Sequence, residues 1–314
     1  MTQQNLAFVF PGQGSQKIGM LADLAANYPI VTETFAEASQ VLGYDLWELV
    51  QNGAQDDINL TERTQPLLLT ASVAVWRMWN EKNGAQPALV SGHSLGEWSA
   101  LVCAGVVAFA DAVKLVQQRG KFMQEAVPAG QGAMFAIIGL DDALIIEACK
   151  KAEQGEVVSA VNFNSPGQVV IAGTAAAAER AAALCKEAGA KRALPLPVSA
   201  PFHTSLMKPA ANRLAEQINA TEFKAPKIPV VHNVTAQTEI DPAKIKALMI
   251  EQIYSAVRWV ECVNTMSEAG ITTTIECGPG KVLSGLNKRI NTGLTTLSIE
   301  KSDEIDHVLA HFNP

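Results

Sequence analysis

The chain has 314 residues, 48% of them hydrophobic and 18% charged, enough to bury a sizeable core in one large domain, with or without a small companion. Its net charge of −7 argues against a general nucleic-acid binder, because no excess of cations is available for phosphates. Five cysteines with no C-x-x-C spacing fit a reducing compartment and offer neither a disulfide framework nor a metal site.

Residues 1–5 lack the positive flank of a signal peptide, and the apolar run after them is too short to span a membrane. A cytoplasmic protein with no membrane or nucleic-acid partner is expected. Residues 6–10 read as a buried strand, and Pro11-Gly12-Gln13-Gly14-Ser15 stops it. The glycines at 12, 14 and 19 do not fit a dinucleotide fingerprint. What matters is position: Gln13 lies past the carboxyl end of a strand, the edge at which open α/β sheets bind ligands.

Residues 30–86 read mostly as helices. Residues 88–91 end a short apolar strand, and a helix runs from about 95 to 105. Between them stands Gly92-x-Ser94-x-Gly96, the pattern of a nucleophile elbow. Alone the pattern occurs by chance in loops; between a strand and a helix it exposes the Ser94 hydroxyl at the sheet edge. The first helical N–H groups then point at whatever Ser94 attacks.

A helix is predicted over 110–127, with Val113, Val116, Gly120, Met123 and Val127 on one stripe. Arg119 sits beside that stripe among apolar neighbours and needs an anion. From the residues alone, an internal ion pair with Glu125 or Glu97 is the favoured reading. Residues 128–132 form a linker, and the pattern then becomes βαββαβ over 133–196, with Asp141 as an N-cap. The fold class expected is α/β. An α/β-hydrolase-like core with a mostly parallel sheet (1–127 and 198–314) carries an inserted ferredoxin-like small domain (128–197).

Pro195, Pro197 and Pro201 keep Val198-Ser199-Ala200 extended, and His203 follows on this re-entry loop before a helix from 205. A strand at 228–234, a helix at 242–255 carrying Gln252, and a helix at 257–270 come next. A strand at 272–277, a turn at 278–281, a helix to about 290 and a last strand at 294–299 follow. Ser94 and His203 supply a nucleophile and a base. No carboxylate is placed as a third member, so a dyad is read, with His203 oriented by a backbone carbonyl or by an amide such as Gln252.

The ordered motifs Phe10-Pro11-Gly12-Gln13-Gly14-Ser15, Gly92-His93-Ser94-Leu95-Gly96-Glu97, Arg119-Gly120, Val161-Asn162-Phe163-Asn164-Ser165-Pro166, Pro201-Phe202-His203 and Glu276-Cys277-Gly278-Pro279-Gly280-Lys281 resemble the bacterial malonyl-CoA:acyl carrier protein transacylases. The likeness runs from about residue 5 to 300. It implies that Ser94 carries the acyl group and that His203 acts as base and acid. It further implies that Gln13 and Leu95 offer N–H groups to the oxyanion, that Arg119 grips the malonyl carboxylate, and that Gln252 helps hold His203. His93, Met123, Asn162 and Phe202 are implied as supporting residues, the bulk of Phe202 leaving little room for a branched acyl chain. Trp98 departs from a tyrosine frequent in the family.

The implied partners are malonyl-CoA and an acyl carrier protein, with no metal or cofactor required, and a monomer is expected. Because carrier proteins are acidic, a basic face is expected to steer docking, with Lys281, Lys288, Arg289, Lys191 and Arg192 as candidates; a solvated helix face is the plain alternative. Two other classes share the motifs: a serine hydrolase (thioesterase or esterase), and a carrier-binding module with a dead site. Arg119 argues against the first, and the joint presence of Ser94 and His203 against the second.

Overall fold

The structure, a computed structural model, describes residues 1–198 and 200–312. β1 (Thr2–Phe10) opens the chain, and its last five residues, Leu6 to Phe10, are fully buried. The helices α1 (Ala22–Asn27), α2 (Pro29–Leu42), α3 (Leu46–Asn52), α4 (Gln55–Ile58) and α5 (Thr61–Glu81) follow. α5 is buried all round from Gln65 to Val75, as a helix threaded through a core must be. β2 (Gln86–Gly92) then lies beside β1, and α6 (Gly96–Cys103) and α7 (Phe109–Glu125) lead away from it.

The next stretch contains β3 (Gly132–Ile138), α8 (Asp142–Ala152), β4 (Val158–Ser165), β5 (Gln168–Thr174), α9 (Ala175–Glu187) and β6 (Arg192–Pro195). After a short 3-10 turn (Ser205–Met207) come α10 (Lys208–Ala220), β7 (Val230–Val231), α11 (Pro242–Gln252), α12 (Trp259–Glu268), β8 (Thr273–Glu276), α13 (Val282–Ile290), β9 (Thr295–Ser298) and α14 (Ser302–Phe312).

Two sheets result. The larger has five strands in the order β7-β2-β1-β8-β9, and every neighbouring pair is parallel. The smaller has four strands in the order β4-β5-β3-β6, all antiparallel. Alternation along β5 divides its two faces. Val169 and Ile171 pack with α8 and α9, while Val170 and Ala172 join the main core with Met134 and Val161. The alanine-rich face of α9 brings it close to this sheet: Ala177, Ala178 and Ala181 are fully buried.

Register decides where chemistry can occur. Phe10 pairs with Gly92, so the loops carrying Gln13 and Ser94 leave adjacent strands at one carboxyl edge. A Cβ on Gly92 would collide with the carbonyl of Gly96, and one on Gly96 with that of Phe10. Close backbone approach, rather than unusual φ, demands glycine at both positions.

Several expectations change. Asp141 occupies the N-cap position of α8, but its side chain makes no capping bond. The strand expected over 228–234 is reduced to Val230–Val231, because the chain turns at once, with the Ala236 amide donating to the His232 carbonyl. α14 was not anticipated; it buries Ile305 and Val308, and its first amide donates to Asp23. Of the extended piece at 198–200, Ser199 lies outside the described residues. Among the described residues no helix is long and apolar enough to cross a membrane.

Candidate active site

Ser94 sits on the turn between β2 and α6 with φ of +53°, and His203 on the loop before α10 with φ of +63°. Such left-handed backbone costs a non-glycine residue about 1–3 kcal/mol and persists only where its surroundings impose it. Here both loops converge: Ser94 Oγ lies 2.7 Å from His203 Nε2. On the far side of the ring, His203 Nδ1 donates to the backbone carbonyl of Gln252 at 2.9 Å. A carbonyl can only accept, so Nδ1 carries the proton and Nε2 keeps a lone pair aimed at the serine hydroxyl. Of the two orienting groups expected, the structure uses the carbonyl. Gln252 is the last residue of α11, where helix geometry leaves carbonyls free.

Burial drives the His203 imidazole down to about 3; the nearby Arg119 charge adds to this, while the Gln252 carbonyl opposes it. The ring is therefore neutral at physiological pH and competent as a base. Lowering the pH protonates Nε2 and removes the base, so the loss should set in only well below the ordinary histidine range. Single-turnover acylation of Ser94 is accordingly expected to be level from pH 8 to 5; an acid limb centred near 6.5 would contradict this.

The Gln252 side chain does separate work. Its Nε2 donates to the Ser94 carbonyl at 2.9 Å, and its Oε1 accepts from Arg119 Nη2 at 2.8 Å. Arg119 Nη1 donates to Gln65 Oε1, also at 2.8 Å, and Arg119 Nε has no partner among the described residues. The ion pair favoured from sequence is not formed: Glu125 pairs with Arg213, and Glu97 accepts from the Asn233 amide. Arg119 is thus a cation 1% exposed and, among the described residues, held only by neutral carboxamides. Burial lowers it to about 10, with the more distant Glu97 pulling the other way, and it stays charged at neutral pH. An arrangement of this kind stabilises an incoming anion.

A cleft of about 480 Å³ opens onto the dyad. Of the residues singled out from sequence, Gln13, His93, Ser94, Asn162, Phe202 and His203 line it. Leu95, Arg119, Met123 and Gln252 do not, and all are at most 2% exposed. Met123 packs in the core with Phe122 and Val127. His93 Nε2 lies 2.7 Å from Asn164 Oδ1, and burial lowers its basicity against that bond. Asn162 Oδ1 has no partner among the described residues. The amides of Gln13 and Leu95 likewise make no hydrogen bond among the described residues.

Sequence reasoning missed one wall. Gln16, Gln55 and Asn59 line the cleft as a row of carboxamides, Gln16 Nε2 and Gln55 Nε2 both donating to Asn59 Oδ1 at 2.9 and 3.0 Å. Met134, Leu196, Pro197 and Phe202 supply apolar lining. Gln65 and Asn233 were missed as well; each is an isolated polar residue with no motif around it. The expected basic face is largely committed to local bonds: Lys281 pairs with Glu304 at 3.0 Å, Lys288 donates to the Leu294 carbonyl at 2.7 Å, and Arg289 to Gln168 at 3.1 Å.

Comparison with known proteins decides the family. The acyl transferase domain model matches residues 7–293. The malonyl CoA-acyl carrier protein transacylase of Salmonella typhimurium is 60% identical over 301 residues, 96% of this chain and 97% of the relative. The chain belongs to the malonyl CoA-acyl carrier protein transacylases. A solved acyl carrier protein S-malonyltransferase from Vibrio cholerae is 62% identical, with a TM-score of 0.96 over 97% of this chain and 99% of that one. A malonyl-transacylase solved in complex with a type II PKS acyl-carrier protein is 55% identical, with a TM-score of 0.97 over 98% of this chain and 99% of that one.

Proposed function

We propose that this chain moves the malonyl group of malonyl-CoA to the phosphopantetheine thiol of an acyl carrier protein through a malonyl-Ser94 intermediate, supplying extender units for fatty acid synthesis. Arg119 carries this reading: a buried cation without an ion-pair partner among the described residues shares Gln252 with both members of the dyad, and only an acyl group bearing its own anion gains from it.

In the first half-reaction His203 Nε2 takes the Ser94 proton as Oγ attacks the thioester carbon. The oxyanion is held by the amides of Gln13 and Leu95. When the carbon–sulfur bond breaks, His203 returns the proton to the coenzyme A thiolate. In the second, the carrier thiol gives its proton to His203 and attacks the malonyl-serine ester, and Ser94 Oγ leaves with that proton. Each bond made or broken is matched by one proton shuttled on Nε2, so the scheme calls on no metal or cofactor. The carboxamide wall suits the amide groups of a pantetheine arm, which both donor and acceptor present, and the bulk of Phe202 in the cleft lining disfavours branched acyl groups.

The same reading treats 1–127 with 198–314 as an α/β-hydrolase-like domain, and 128–197 as a ferredoxin-like domain whose strand order and paired helices support that class. It takes the protein as a cytoplasmic monomer. A thioesterase would use the same dyad, and the test is the fate of the acyl group. With malonyl-CoA and a pantetheine thiol, malonyl should appear on the thiol; release of free malonate alone would overturn the proposal.

A further inference from the structure

We propose that Asn233 is a positioning residue for Ser94: its carboxamide bridges the carbonyl of Gly92 and the amide of Ser94 and so fixes the nucleophile's backbone against the base. The inference rests on the reading of Ser94 as nucleophile. Asn233 Nδ2 donates to Gly92 O at 2.7 Å, and the Ser94 amide donates to Asn233 Oδ1 at 2.9 Å. One planar group thus closes a ring around His93 at the apex of the elbow. Only this orientation of the amide serves both sides, because Gly92 offers a carbonyl and Ser94 an N–H.

The element being held also holds its holder. The Asn233 amide donates to Glu97 Oε1 at 2.5 Å, and Glu97 lies in the first turn of α6, directly after the elbow. The other Glu97 oxygen faces His232 Nδ1 at 3.8 Å. Asn233, Glu97 and His232 are all fully buried. A second contact runs to the rest of the site: Gln252 Nε2 lies 3.4 Å from Asn233 Oδ1 while donating to the Ser94 carbonyl. The serine peptide is therefore gripped at its N–H by Asn233 and at its C=O by Gln252, and Gln252 also fixes the His203 ring. Without Asn233, the left-handed turn at Ser94 loses the one side chain that holds its amide, and Oγ is free to drift from Nε2. Displacements of this order cost about a hundredfold in rate.

Asn233→Asp separates positioning from bulk. An ionised aspartate accepts from Ser94 but repels the Gly92 carbonyl; a protonated one donates to Gly92 and restores both bonds. The charged and titratable groups facing the position are Glu97 on α6, His232 and Arg258 beside it, Cys262 on α12, and His203 with Arg119 through Gln252. Glu97 favours the protonated acid and the cations Arg258 and Arg119 the ionised one; burial, the larger effect at a fully enclosed position, decides for the acid, and the dyad base stays neutral over the same range. Acylation by this variant should therefore rise as the pH falls from 8 to 5, where wild type is level.

The experiment is single-turnover acylation of the full chain by malonyl-CoA, read by intact mass, alongside labelling of Ser94 by a fluorophosphonate probe. Asn233→Ala should lose about a hundredfold in the limiting rate with half-saturation by malonyl-CoA little changed, since Asn233 makes no direct bond to Arg119 and does not line the cleft. Asn233→Asp should recover as the pH is lowered. If Asn233→Ala does not fold, the pH profile of Asn233→Asp decides. Wild-type rates in both variants, or an Asn233→Asp rate that ignores pH, would overturn the inference. Wild type that reacts with the probe but not with malonyl-CoA would overturn the functional reading instead, while probe rates still judge Asn233.

Discussion

Ser94→Ala is expected to abolish the acyl-enzyme and leave the fold intact. The bonds that shape the elbow involve the Ser94 backbone, its amide to Asn233 and its carbonyl to Gln252 and the Glu97 amide. The hydroxyl makes one bond, to His203, so its loss removes the proposed nucleophile and little else. His203→Ala should slow each half-reaction by about 10²–10⁴, because the proton acceptor of one step is the donor of the next. No other nucleophile should take over. Cys103 is the only partly exposed cysteine, and burial pushes its thiol far above the ordinary range, leaving little thiolate. The measurement is the rate of each half-reaction by rapid quench, with circular dichroism as the control on folding. Acyl-enzyme in Ser94→Ala, or a His203→Ala rate within a few-fold of wild type, would contradict the assignment.

The second large effect is expected at Arg119. Its guanidinium can meet a carboxylate through paired donors, geometry that lysine cannot copy. Each charge-assisted hydrogen bond contributes about 1.5–3 kcal/mol, so a bidentate grip corresponds to roughly a hundredfold or more in selectivity. Acetyl-CoA offers no anion and leaves the buried cation uncompensated. Arg119→Ala should therefore lose malonyl transfer steeply and acetyl transfer little, and Arg119→Lys should fall between, nearer to alanine. There is a linked consequence. The Arg119 charge is the second cause of the low His203 basicity, so its removal should raise the histidine and move the acid limb of the rate profile upward. The measurement is kcat/KM for both thioesters across pH. An unchanged malonyl-to-acetyl ratio would make Arg119 a structural cation and place the carboxylate anchor elsewhere.

What could be read from the sequence was what is local. The apolar run ending at Phe10, the elbow around Ser94 and the βαββαβ order announce themselves through period, glycine placement and turn residues. The meeting of Ser94 with His203, separated by 109 positions, was legible only because ordered motifs are shared with a family; spacing alone could not join them. Arg119 shows the limit. Its apolar surroundings correctly predicted burial, but the partner favoured from the residues was a carboxylate. Gln65 and Gln252, which actually hold it, come from helices far away in sequence. Asn233 left no trace, because a lone asparagine after a two-residue strand has the signature of any turn. The strand is shorter than the 228–234 its β composition suggests, since among the described residues only Val230 and Val231 pair in the sheet. The C-terminal helix failed to register because its apolar stripe, Ile305 and Val308, is short.

A covalent malonyl group at Ser94 is the step on which the proposed transfer depends. Intact mass spectrometry of the protein mixed with malonyl-CoA, followed by peptide mapping, tests this most directly. The expected result is one added malonyl group per chain, located on Ser94, absent from Ser94→Ala and discharged when a pantetheine thiol is added. Turnover without any adduct, or an adduct on another side chain that the thiol discharges, would contradict it.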